Sequence, residues 1–134
     1  MNKYIEINLI EAEITFDHAD EPEGYQIVHP DGNESWLSKE VFDKAYMQIG
    51  NNNTITQELV DNFIIDYEVF TKKDKITIVV ATLNNGFTIV ESSACVDPKN
   101  YNEEIGASIC KERINNRVWM LLGFLLQTAI GGIK

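Results

Sequence analysis

Residues 102–134 read NEEIGASICKERINNRVWMLLGFLLQTAIGGIK, and they carry both the longest helical pattern in the chain and its only two arginines, Arg113 and Arg117. A spacing of four places these arginines one above the other on one helix face, where two guanidinium forks can converge on a single anion. From Val118 the pattern turns apolar on every side, through Trp119, Met120, Leu121, Leu122, Phe124, Leu125 and Leu126. Such a helix is expected to lie deep in a core or against a partner subunit. Gly106, Asn115, Asn116 and Gly123 weaken the pattern, so a kink or a split is expected.

Working outward, the 134 residues suit one domain, or one domain with a small appended subdomain, and a hydrophobic fraction of 44% supports a core. A formal net charge of −10 argues against an electrostatic footprint on DNA, RNA or an anionic membrane. An anionic ligand would have to be small and held locally. Cys95 and Cys110 are the only cysteines; they are too few for a disulfide scaffold and lack metal-ligand spacing, which fits a reducing cytoplasm. The N-terminus alternates and does not read as a signal peptide. The longest apolar run, 118–126, is about half of a bilayer span.

Residues 3–16 alternate with a period of two and predict a long strand, with a bulge near Leu9 and Ile10. The acidic stretch 17–23 reads as a loop. Strands are expected at 25–29 and 34–37, separated by the turn residues Pro30, Asp31, Gly32 and Asn33, and Ser38 caps a helix to about Met47 with Val41, Phe42 and Ala45 facing inward. The stretch GNNNT at 50–54 marks a boundary between segments 1–50 and 51–134, short enough for the two to pack together. Thr56 caps a helix over 57–63, and strands follow at 64–71, 76–83 and 87–92. The turns between them are built from residues 72–75 and from Asn84, Asn85 and Gly86, the latter a strong hairpin signal. Asp97 and Pro98 then fit an N-cap followed by proline, ahead of the long helix after Tyr101. The fold expected is α+β: an antiparallel sheet or meander with a long C-terminal helix packed for dimerisation.

Chemistry-bearing patterns are few. The chain has no nucleophile elbow, no His–Glu metal pattern, no phosphate-cradling glycine loop and no deaminase motif. His18 and His29 read as ordinary surface residues. The acidic residues Glu11, Glu13, Asp17, Asp20, Glu21 and Glu23 lack the spacing of a calcium loop and read as a solvated face. Cys95 reads as a small buried residue. Arg113 and Arg117 stand apart, because nine lysines serve the rest of the chain. They either form ion pairs with Glu112, Glu104 or a partner's carboxylates, or bind phosphates and stack on a base. Phe87, directly after the Asn-Gly turn, is either half-buried core or an aromatic platform for a base. No cofactor, metal or catalytic residue is expected.

The segment TLNNGFT at 82–88, the residues ESSACVDPKNY at 91–101, then Glu104, Ile105 and Gly106, Trp119 and GFLL at 123–126 resemble the signature of a family of small phage proteins. The resemblance covers about residues 56–127. A segment from Gly24 through Trp36 and Phe42 also resembles one found ahead of that signature in phage and prophage proteins. One branch of the family, the type 1 Thoeris anti-defence proteins, binds the cyclic ADP-ribose isomer made by a bacterial immune TIR enzyme and holds it without cleaving it. The resemblance implies that Phe87 stacks on the base, that Arg113 and Arg117 hold the base face and the pyrophosphate, and that Asp97 or Asn100 meets a ribose hydroxyl. It also implies assembly through the C-terminal helices into dimers and larger rings, a hexamer among them.

The expectation is therefore a non-enzymatic phage anti-defence protein of the bacterial host cytoplasm that sequesters a cyclic ADP-ribose isomer, with other cyclic nucleotides as further ligands. A phage accessory protein that inhibits a host protein by direct contact is the alternative.

Overall fold

The computed structural model describes residues 1–18 and 21–134, without the side chains of Asp17 and His18. Its contacts divide the chain into two units, residues 1–51 with 125–134 and residues 52–124.

In the first unit, β1 (Glu11–His18), β2 (Glu21–Val28) and β3 (Glu34–Ser38) form an antiparallel sheet in that order. The strand expected from residue 3 begins only at Glu11. Its last rung is Glu11 opposite Val28, beyond which the chain turns, with Gly32 at φ +86° donating its N–H to the His29 carbonyl. Residues 3–10 therefore have no strand to pair with. The loop expected at 17–23 is largely strand instead, and the bulge falls beside Phe16, opposite Pro22, where the interrupted ladder tolerates a residue without an N–H. Ala19 and Asp20 lie outside the described residues, as does the side chain of His18.

Ser38 caps α1 (Lys39–Ala45), its hydroxyl accepting from the Val41 N–H. Only Phe42 of the expected inner face turns inward, stacked between Tyr25 at 3.8 Å and Tyr46 at 4.6 Å. That ring stack fixes the helix's rotation and leaves Val41 and Ala45 exposed. Ile27 is fully buried in this unit.

The second unit opens with α2 (Gln57–Phe63), capped by Thr56, whose hydroxyl accepts from the Leu59 N–H. A meander follows: β4 (Ile64–Lys72), β5 (Ile76–Leu83) and β6 (Thr88–Ala94), antiparallel and in that order. Lys73 and Asp74 at φ +53° and +58° make the first turn, and Gly86 at φ +88° the second. Strand β5 alternates strictly, with Thr77, Val79, Ala81 and Leu83 buried.

Asp97 caps a short 3-10 turn (Pro98–Asn100), and α3 (Glu103–Gly131) runs as one uninterrupted helix of 29 residues. The split expected at its weak helix formers does not occur, because two of them make tertiary contacts that outweigh propensity. A Cβ on Gly106 would collide with the side chain of Thr77, so the glycine permits close approach of helix to sheet. Asn115 accepts a hydrogen bond from Gln57 at 3.0 Å. Gly123 meets nothing within 4 Å and costs only its propensity, about 1 kcal/mol.

Cys110, Ile114, Val118 and Leu122 continue the buried stripe of α3 at intervals of four. Within the single chain, the apolar surface of α3 is fully buried along this stripe, with Trp119 and Leu126 half-buried. Met120 is 66% and Phe124 72% exposed. Among the described residues no helix is long and apolar enough to cross a membrane.

Candidate functional site

The arginines of α3 lie over β6, the edge strand of the second sheet. Hydrogen bonds from Leu83 N–H to Phe87 O and from Cys95 N–H to Lys75 O mark the odd-numbered rungs of β6 as those bonded to β5. Antiparallel geometry then turns the carbonyls of Val90 and Ser92 toward the open edge. Arg113 Nη1 donates to Ser92 O at 2.9 Å, and Arg117 Nη1 donates to Val90 O at 3.5 Å.

Arg117 Nη1 also reaches Glu91 Oε1 at 3.4 Å. Glu91, which the sequence did not single out, is thus its carboxylate, in place of Glu112 or Glu104. The pair is weak: the Arg117 side chain is 49% exposed, and such ion pairs contribute about 0–1 kcal/mol. In both arginines Nε and Nη2 make no hydrogen bond among the described residues.

Phe87, expected to begin this strand, immediately precedes it, 53% exposed, with its N–H held by Asn85 Oδ1 at 3.0 Å. It is three residues from Val90, roughly 10 Å along extended backbone. Asp97 and Asn100 follow the far end of β6. The Asp97 carboxylate accepts from the Lys99 N–H at 2.9 Å and so serves the 3-10 turn. Asn100 helps line a cavity of about 110 Å³ with Thr77, Ser93, Tyr101 and Ile109. Strand β6 therefore strings the expected residues out in order: Phe87, Arg117, Arg113, then Asp97 and Asn100.

Residues 55–130 match the model of the phage protein (N4 Gp49/phage Sf6 gene 66) family. The chain belongs to this family. No curated protein and no solved structure matches it. The family segment holds α2, the whole β4–β5–β6 meander and nearly all of α3, so every residue of the candidate site falls within it. The β1–β2–β3 unit with α1 precedes it.

Within the family segment the structure shows polar residues that the sequence reading missed. Thr77, fully buried, shares a hydrogen bond of 2.9 Å with the Tyr101 hydroxyl, which also meets Thr71 Oγ1 at 2.7 Å; Thr71 in turn donates to Glu103. This chain fastens the start of α3 to the sheet. Its signal was available as a threonine in line with the apolar inward positions Val79, Ala81 and Leu83 of β5. Gln57 is the second omission. Its Nε2 donates to Asn115 and, at 2.7 Å, to Asp61, while its Oε1 accepts from Trp119 Nε1 at 3.2 Å.

Lys111 Nζ sits 4.9 Å from the centre of the Tyr67 ring. Burial, and secondarily the charge of Asp61, raise the Tyr67 pKa above its ordinary 10.0. A larger cavity of about 500 Å³, lined by Val69, Glu103, Glu104, Ala107, Ser108 and Lys111, lies on this flank of α3 and includes neither arginine. Cys110 is buried as a small apolar residue would be, whereas Cys95 is half-exposed and donates its thiol to Asp97 O at 3.2 Å, correcting its expected burial. Among the described residues no cluster of His, Cys, Asp and Glu could hold a metal ion.

Proposed function

We propose that this phage-family protein binds a cyclic ADP-ribose isomer made by TIR immune enzymes and sequesters it without cleaving it. One observation carries the reading: two arginines one helical turn apart are anchored on an edge strand by a single nitrogen each. Nε and Nη2 of each remain for a ligand, and guanidinium groups match phosphate geometry in a bidentate fork. The exposed ring of Phe87 at the head of the same strand supplies a stacking surface for the base. Sequestration asks only for a tight site, and the resemblance to the Thoeris anti-defence branch names the ligand class. Further cyclic nucleotides, and assembly through α3 into a dimer or hexamer, belong to the same proposal. The test is a calorimetric titration with cyclic ADP-ribose isomers and cyclic oligonucleotides, followed by heat denaturation and recovery of the ligand. Heat with intact ligand supports the reading. No heat with any of them refutes it, and a degraded ligand replaces it with an enzyme.

A second reading is favoured by a different observation: Met120 and Phe124 leave large apolar surfaces on α3, and the arginine bonds to strand carbonyls already serve the fold. It makes the protein an inhibitor that docks directly on a host protein. Replacing both arginines by alanine separates the two, because this reading expects lost stability and no change in ligand binding.

A further inference from the structure

The β1–β2–β3 sheet has one face toward its core, where Ile27 is buried and Tyr25 stacks on Phe42. Its other face carries Trp36, a large apolar side chain left 45% exposed. Trp36 is nevertheless held in a defined pose. Gly24 lies beneath it, so that a Cβ there would fall 2.5 and 2.7 Å from two carbons of the indole. The indole N–H donates to Thr15 Oγ1 of β1 at 3.1 Å. The ring thus spans the sheet from β3 to β1 and is fixed without a ligand.

Register decides what surrounds it. Gln26 pairs with both Glu13 and Trp36, placing those two in one cross-strand row. Val28 pairs with both Glu11 and Glu34, placing these in the next row of the same face. The three carboxylates are exposed and form no ion pair among the described residues, and no lysine or arginine occupies either row. A fixed aromatic face with three carboxylates on the same face of the sheet attracts a cation through the ring's quadrupole and through direct charge. The same carboxylates repel a nucleotide, which separates this surface from the arginine site.

We propose that this face docks a lysine- or arginine-bearing peptide segment of a partner protein, with a cationic side chain over Trp36 and its neighbours against Glu11, Glu13 and Glu34. The chain's net charge of −10 favours the same class of partner.

The chain has two tryptophans, Trp36 and Trp119, so a ¹⁵N correlation spectrum of the full-length protein shows two indole signals. A synthetic decapeptide alternating arginine and glycine is titrated in, beside matched glutamine and glutamate peptides. The expected result is a saturating shift of the Trp36 signal with the arginine peptide alone, and none at Trp119. Glu13→Gln with Glu34→Gln, which removes only exposed carboxylates, weakens binding about five-fold, and Trp36→Leu weakens it at least as much. A static Trp36 signal, an equal response to the glutamine peptide, or unchanged affinity in the double glutamine variant overturns the proposal. Binding of a neutral oligosaccharide in place of the peptide overturns it too.

Discussion

The two flanks of α3 each carry polar residues four apart and differ in what those polar groups have left to do. On one flank Asn115 and Trp119 close a network around Gln57, which uses both amide hydrogens and its oxygen. On the other, Arg113 and Arg117 each set one nitrogen on an edge carbonyl and keep further donors unbonded among the described residues. A satisfied network stabilises a fold, whereas exposed guanidinium donors without a protein partner stay available to a ligand. A spacing of four describes both flanks, and the bonding separates the flank whose polar groups are satisfied from the one with donors to spare.

The largest effect expected from breaking this contrast is on ligand affinity. Replacing both Arg113 and Arg117 by alanine removes two charge-assisted contacts and weakens binding of the cyclic ADP-ribose isomer about a thousand-fold. Calorimetry reads the affinity, and a melting curve checks that the fold survives. Next comes the buried stripe between the flanks. Gly106→Val drives a side chain into Thr77 and lowers stability by about 3 kcal/mol in denaturant unfolding. On the structural flank, Gln57→Ala lowers stability by about 2 kcal/mol and leaves ligand affinity unchanged, the reverse of the arginine pair. Glu91→Gln removes the exposed ion pair with Arg117 and changes stability by less than about 0.5 kcal/mol; any gain in affinity would show that Glu91 competes with the ligand.

The smallest effect is a pH dependence on the structural flank. Burial raises the Tyr67 pKa above 10.0, so the folded state holds the phenolic proton more tightly than the unfolded state does. That contribution is fully present below pH 10.0 and is lost as pH rises through the raised value. Ultraviolet titration of the tyrosines, compared between wild type and Tyr67→Phe, measures it.

Much of the fold was legible because local signals were strong and agreed with one another. Thr56 and Ser38 announced their helices through capping, and Asn84, Asn85 and Gly86 announced the turn into β6. The failures share a cause, which is tertiary context. Residues 3–10 alternate as a strand should, yet a strand also needs a partner and β2 ends at Val28. Gly106 looked like a break and proved to be a close approach. At the site, spacing put Arg113 and Arg117 on one face, but nothing in it could show that the face meets the edge carbonyls of β6, or that Glu91 is the neighbouring carboxylate. Asp97 illustrates the other side: its capping role was legible from the proline after it, and that role engages one carboxylate oxygen, Oδ1.

The contrast between the flanks is tested most directly by the side-chain N–H signals of the protein during titration with a cyclic ADP-ribose isomer. Arg113 and Arg117 Nε–H are expected to shift and saturate together while the Trp119 indole N–H stays in place. Movement at Trp119 with both arginine signals static would contradict the assignment of the ligand to the β6 flank.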